Sequence, residues 1–300
     1  MENQNYCCGF LASAEIVKRA IRRNRFLPAM SKPTSFKIGL GLLIFLPLTH
    51  FSRAEQLPAK LDLTSLPATF IDEVIVPNPD EVFSLMDKLP GQPDWSSKVR
   101  KDFEVSRPGN RTTLALIFGT LIADGFVAVQ AEDTEGVKNA GREILALSKT
   151  LGLEEAVVPH CNAIISACQN RLWDEVRGEF DQTHKTVKET MAKMRDEQLA
   201  QCVSVSGWVR GTEVLTGLVE DGYSPEKAEI LHQPDLAAHF VKQLEAMDQK
   251  TIQNPAMQSI LTGLREVSLL MRESQELSAP AVAQIHEICS KIQSTIQSDK

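Results

Sequence analysis

Aromatic side chains are scarce in this chain, with two Tyr, three Trp and twelve Phe among 300 residues. Strands are enriched in aromatic and β-branched residues, whereas straight-chain residues such as Leu, Glu, Gln and Lys lose little rotamer freedom in helices. The composition therefore argues against a β-rich fold and for an all-α one. Short chemical signatures are missing too: there is no CxxC, HExxH, GxSxG, phosphate loop or dinucleotide fingerprint. Dithiol redox, zinc peptidase, α/β-hydrolase and nucleotide chemistry thus have no local support. No cofactor is implied.

The N-terminal segment differs in kind from the rest. Lys18, Arg19, Arg22, Arg23, Arg25, Lys32 and Lys37 precede an 11-residue apolar run, IGLGLLIFLPL, from Ile38 to Leu48. A bilayer core needs about 20 apolar residues, whereas the apolar region of a signal peptide needs roughly 7 to 15. Ser52 and Ala54 place small residues three and one before a peptidase site. Residues 1–54 are thus expected to be a signal peptide cleaved after Ala54, leaving Glu55 as the mature start and no stable membrane span. The 25 residues from Met30 to Ala54 form a complete leader by themselves, which makes Met30 the expected translation start. The expected destination is periplasmic or secreted.

Positive charge is in deficit. Residues 55–300 hold 24 Lys and Arg against 37 Asp and Glu, a net charge of −13. Phosphate backbones are bound by clustered Lys and Arg, so nucleic acid is excluded as an expected partner. Of six cysteines, Cys161, Cys168, Cys202 and Cys289 lie beyond the leader. Cys161 and Cys168 on one helix would be separated by about 10 Å of rise, too far to bridge each other. Four buried free thiols are as good an expectation as one disulfide.

Three prolines and a short β-branched patch from Glu55 to Pro77 predict an extended arm without helical period. A single helical domain of about eight helices is expected over 78–300. Asn78-Pro79 opens the first helix, with an N-cap followed by a residue that needs no amide donor. A helix runs from about Arg111. Asp133 or Thr134 caps the next, which ends at Gly152 with Lys149 in its last turn. Pro159 is expected to interrupt the segment after that. Val176, Phe180, Thr183, Val187, Met191, Met194 and Gln198 recur every three or four residues, a stripe that faces a neighbour. Ser224-Pro225, Pro234, Asn254-Pro255 and Ser278 with Pro280 mark later helix starts, and Gly222 suits the residue just past a helix end.

TLIADGFVAVQAED, residues 120–133, sets Asp124 on a helical face with Ile117, Thr120, Leu121, Val127, Ala128 and Ala131. A carboxylate there must be paired, hydrogen-bonded or protonated. SGWVRGTEVLTG, residues 206–217, thins one helix side with Gly207, Gly211 and Gly217 and sets Arg210 three residues before Glu213. Arg210 is the preferred partner for Asp124. Asp124, Arg210, Glu213 and Asp221 are therefore the ligand-binding candidates; no catalytic residue is assigned. His232, Asp235 and His239 have metal-donor chemistry, but Pro234 breaks their common face, and no metal site is expected. His160 beside Cys161 diverges from it on a helix.

The phrases VPNPDEVFSLMDKL, ADGFVAVQAED, GWVRGTEVLT and LHQPDL resemble those of exported, predominantly helical bacterial proteins of uncharacterised function, over most of residues 72–245. The resemblance implies export and helicity and no activity. The leader, the acidic body and the missing motifs together favour a non-catalytic protein that binds a small ligand or an envelope partner. A periplasmic hydrolase using Asp124, Glu213 or Asp221 with a histidine from 232–239 is the first alternative. An envelope scaffold docking through its arm is the second.

Overall fold

A computed structural model describes residues 68–71, 74–77, 83, 86–88, 91–101, 109–274 and 276–298. The leader, the arm up to residue 67 and the Asn78-Pro79 helix start lie outside them. Within the expected arm, β1 (Ala68–Ile71) pairs antiparallel with β2 (Val74–Pro77), Thr69 opposite Val76 and Ile71 opposite Val74. The β-branched patch thus satisfies its backbone as a hairpin. Phe83 and Met86–Lys88 are helical, and a 3₁₀ turn follows at Trp95–Lys98.

Among the described residues ten helices follow: α1 (Arg111–Gln130), α2 (Thr134–Leu151), α3 (Glu154–Gln169), α4 (Trp173–Lys193), α5 (Glu197–Asp221), α6 (Pro225–Leu231), α7 (Pro234–Glu245), α8 (Gln249–Ile252), α9 (Pro255–Glu273) and α10 (Ala279–Ser298). All-α is the class. The count exceeds the expected eight through short members such as one-turn α8, too brief to show a period.

Helix starts follow local chemistry. The Asn110 side chain accepts from Thr113 N at 2.7 Å, Asp133 from Gly136 N, Ser224 from Lys227 N and Asn254 from Met257 N. Gly152 closes α2 at φ +79°, in the left-handed region, with Lys149 in the last turn.

Three expectations about helix ends and stripes are corrected. Pro159 does not interrupt α3. Its missing amide would have met Glu155 O, and both residues are exposed on the solvent side, where water can serve that carbonyl. The α4 stripe holds for Val176, Phe180, Thr183, Val187 and Met191, all buried, but the helix stops at Lys193, so Met194 is exposed and Gln198 belongs to α5. Gly222 ends α5 at φ −161°, extended backbone open to any residue, rather than in a left-handed cap.

α1 occupies the centre. Every residue from Thr113 to Val129 is buried, which an all-round apolar sequence requires. By length and composition α1 could cross a membrane, yet here the other helices cover it. It packs on α5, α2 and α4, while α5 packs on α10, α9 on α7 and α10, and α3 on α4. Cys161, Cys168, Cys202 and Cys289 are free and buried, inside a core that includes Cys202 Sγ against Met257 Sδ at 3.8 Å.

Candidate functional site

Asp124 and Arg210 meet where α1 crosses α5. Arg210 Nε donates to Asp124 Oδ1 at 2.7 Å, and the Asp124 side chain is fully buried. The other carboxylate oxygen lies 3.0 Å from Arg100 Nε, an ion pair without hydrogen-bond alignment. Arg210 Nη1 donates to Glu213 Oε2 at 2.8 Å and Nη2 to Lys98 O at 3.2 Å. Ser290 Oγ on α10 donates to Glu213 Oε1 at 2.6 Å. The Gln297 side-chain oxygen, in the amide orientation that suits both residues, accepts from Arg100 Nη2 and Nη1 at 3.0 and 3.1 Å.

Burial opposes the Arg210 charge, but Asp124 and Glu213 outweigh it and hold its pKa above the ordinary arginine value. Two arginines and two carboxylates make this seam neutral. Its donors face its own acceptors, and it joins α1, α5, α10 and the segment after the 3₁₀ turn. Asp221 stands apart: it is exposed at the end of α5, paired with Lys98 Nζ at 2.7 Å. The histidine beside Glu213 is His286, whose Nδ1 lies 2.9 Å from Glu213 O and 3.1 Å from Thr216 Oγ1. His232 Nε2 instead lies 2.7 Å from Met271 O, and His239 packs beside Phe240 on α7. Among the described residues, no three His, Cys, Asp or Glu side chains gather closely enough to hold a metal ion.

One constellation between α3 and α4 has triad-like spacing. His160 Nε2 lies 3.0 Å from Thr186 Oγ1, and His160 Nδ1 lies 2.9 Å from Glu179 Oε2. A threonine nucleophile would also need donors for an oxyanion. Thr186 sits in the middle of α4, whose backbone amides are engaged within the helix. The three side chains therefore serve as a polar strut between the helices.

The open space lies on the other side of the α1–α5 crossing. A cavity of about 130 Å³ is walled by α1, α4, α5, α6 and α7 together with Phe83. Phe83, Phe126, Trp208 and Phe240 supply its aromatic surface, with Trp208 tilted on Phe240 at a centroid distance of 5.5 Å. Asp124, Arg210, Glu213 and Asp221 do not line it, although Ala123 does.

Of the three glycines of residues 206–217, Gly207 and Gly211 share the side that lines the cavity, whereas Gly217 faces His286. A Cβ on Gly207 would stand 3.3 Å from Gly119 O, where the two backbones approach. One on Gly217 would meet His286 at 3.1 Å, and one on Gly211 would meet nothing within 4 Å, because that position opens into the cavity.

His184 and Lys188, four residues apart on α4, are the ionisable groups of the cavity wall. Burial, reinforced by the Lys188 charge, pushes the His184 pKa down to about 3, although the ring is only half-buried. Burial likewise lowers the Lys188 ammonium from the ordinary lysine value. Sequence reasoning missed both. They flank the stripe Val176–Met191 and look there like ordinary polar neighbours of a packed face.

No protein-family model, curated protein or solved structure matches this chain. The functional reading accordingly rests on the geometry and chemistry of its own residues.

Proposed function

We propose that this chain is an exported protein that holds a compact, predominantly apolar small molecule without transforming it. The observation that carries the reading is the aromatic-walled cavity beside the α1–α5 crossing. Protein interiors are normally packed to near-crystalline density with few voids larger than a water molecule. A partly open, aromatic-walled space of about 130 Å³ departs from that, and apolar spaces of this size take up benzene-sized guests. Concave, mostly apolar spaces with a few convergent polar groups are the usual form of small-ligand sites. Export is supported by the leader, with its 11-residue apolar run and the small residues before Glu55.

Benzene is a suitable first probe, because a guest that binds only the folded state raises its stability by mass action. Benzene is expected to raise the melting temperature of the wild type and to leave Gly211→Leu unaffected, since that side chain fills the cavity from a position with no neighbour within 4 Å. An unchanged wild type, or an equal shift in both proteins, would reject the reading. Export has its own check: N-terminal sequencing of the mature protein should begin at Glu55, and a start upstream of Ile38 would contradict a cleaved leader.

A further inference from the structure

Lys188 is the part of the cavity wall that an apolar guest leaves unexplained. Lys188 is half-buried, and a lysine whose ammonium loses part of its hydration normally gains an opposite charge in return. Lys98, Lys138 and Lys185 each stand against a carboxylate, Asp221, Glu135 and Glu189 respectively. Lys188 has no such partner among the described residues, and burial acts on its charge with no opposing acid.

His184 lies one turn earlier on α4 and lines the same cavity. Kept neutral by burial, it offers one ring N–H as a donor. Three other polar groups of the wall are already committed, which leaves beside them only the uncharged Thr212 hydroxyl. Ser204 Oγ donates to Ala200 O at 3.0 Å, Trp208 Nε1 to Gln233 Oε1 at 3.4 Å, and Gln233 Nε2 to Ile230 O at 3.0 Å. Among the described residues, two donors with no internal acceptor therefore sit four residues apart on a wall that is otherwise mainly apolar.

We propose that the cavity takes a compact apolar monocarboxylic acid, its hydrocarbon body among Phe83, Phe126, Trp208 and Phe240 and its carboxylate against Lys188 and His184. This rests on the cavity being a ligand site. A monoanion supplies the single missing counter-charge. A hydrocarbon leaves Lys188 unpaired, a cation is repelled, and a phosphate dianion brings one negative charge more than the wall can match. The cavity volume of about 130 Å³ sets the body near the size of a benzene ring, so benzoate is the natural probe.

The test is calorimetric titration of the full chain with benzoate and, separately, with benzene, on the wild type and on Lys188→Met. The wild type should bind benzoate at least tenfold more tightly than Lys188→Met does, because a charge-assisted contact is lost. Both proteins should bind benzene alike, which shows that the variant keeps its fold and its cavity. Benzoate binding that is equal in the two proteins, or no tighter than benzene in the wild type, overturns the carboxylate assignment while leaving the cavity reading intact. Failure of the wild type to bind either probe overturns both. Benzaldehyde with cyanoborohydride supplies a last arm. Addition of the Lys188 amine to the carbonyl, loss of water to an imine, and hydride reduction of that imine would leave a fixed adduct; such an adduct without preferential benzoate binding would replace the carboxylate by a carbonyl ligand.

Discussion

Asp124 shows how much one buried charge demands. With no exposed side-chain surface, it is held by Arg210 at 2.7 Å and Arg100 at 3.0 Å. Removing one partner of a buried ion pair costs about 3 to 5 kcal/mol, mostly through the charge left uncompensated. Asp124→Asn should therefore lower unfolding stability by about 3 kcal/mol, read by urea denaturation. The double variant Asp124→Asn with Arg210→Met should lose less than the sum of the two single losses, because the Asp124–Arg210 contact is removed only once, while Glu213 still loses its guanidinium partner. Benzene uptake by Asp124→Asn, measured where it remains folded, should be unchanged, since Asp124 does not line the cavity. A near-neutral Asp124→Asn would show that the seam contributes nothing net to folding.

The helices carry a different lesson, which glycine substitutions expose. A Cβ on Gly119 would overlap Val203 O and Ser206 Oγ on α5, so Gly119→Ala should cost about 1 to 3 kcal/mol by forcing the α1–α5 crossing apart. Gly211→Ala meets nothing and should gain about 0.5 to 1 kcal/mol from a better helix residue. Denaturant midpoints of the two variants check the pair, and equal effects would deny that the crossing is tight at one glycine and open at the other. Some helix starts were legible in the sequence because a cap is a local event: Asp133, Ser224 and Asn254 each bond an amide two or three residues on, whereas α3, α4 and α5 begin without a side-chain cap. The Asp124–Arg210 contact was legible because a carboxylate on an apolar face requires a cation. Arg100 was not, since it comes from a segment without period, and glycine roles were not, since the partner helix decides them. The cavity was least legible, because five helices and Phe83 contribute its wall and no stretch of sequence contains it.

At the scale of the whole molecule, the α1–α5 crossing supports a closed charge seam on one side and a cavity on the other, and acid should act on the second. His184 has its pKa pushed down to about 3 by burial and the nearby Lys188 charge, whereas an unfolded histidine titrates near 6.5. Between these values the unfolded chain takes up a proton that the native chain refuses. The stability contribution is fully present above about pH 6.5 and is lost progressively as pH falls toward about 3. Between pH 7 and pH 5 the loss is about 1 to 2 kcal/mol, since the half-buried ring still meets the open side of the cavity. His184→Gln has no proton to gain and should lose that much less stability than the wild type over the same interval, measured by urea denaturation at both pH values. Identical slopes would place the acid response elsewhere in the molecule and show that the native ring reaches solvent freely enough to be protonated, which would in turn weaken its service as a neutral donor beside Lys188.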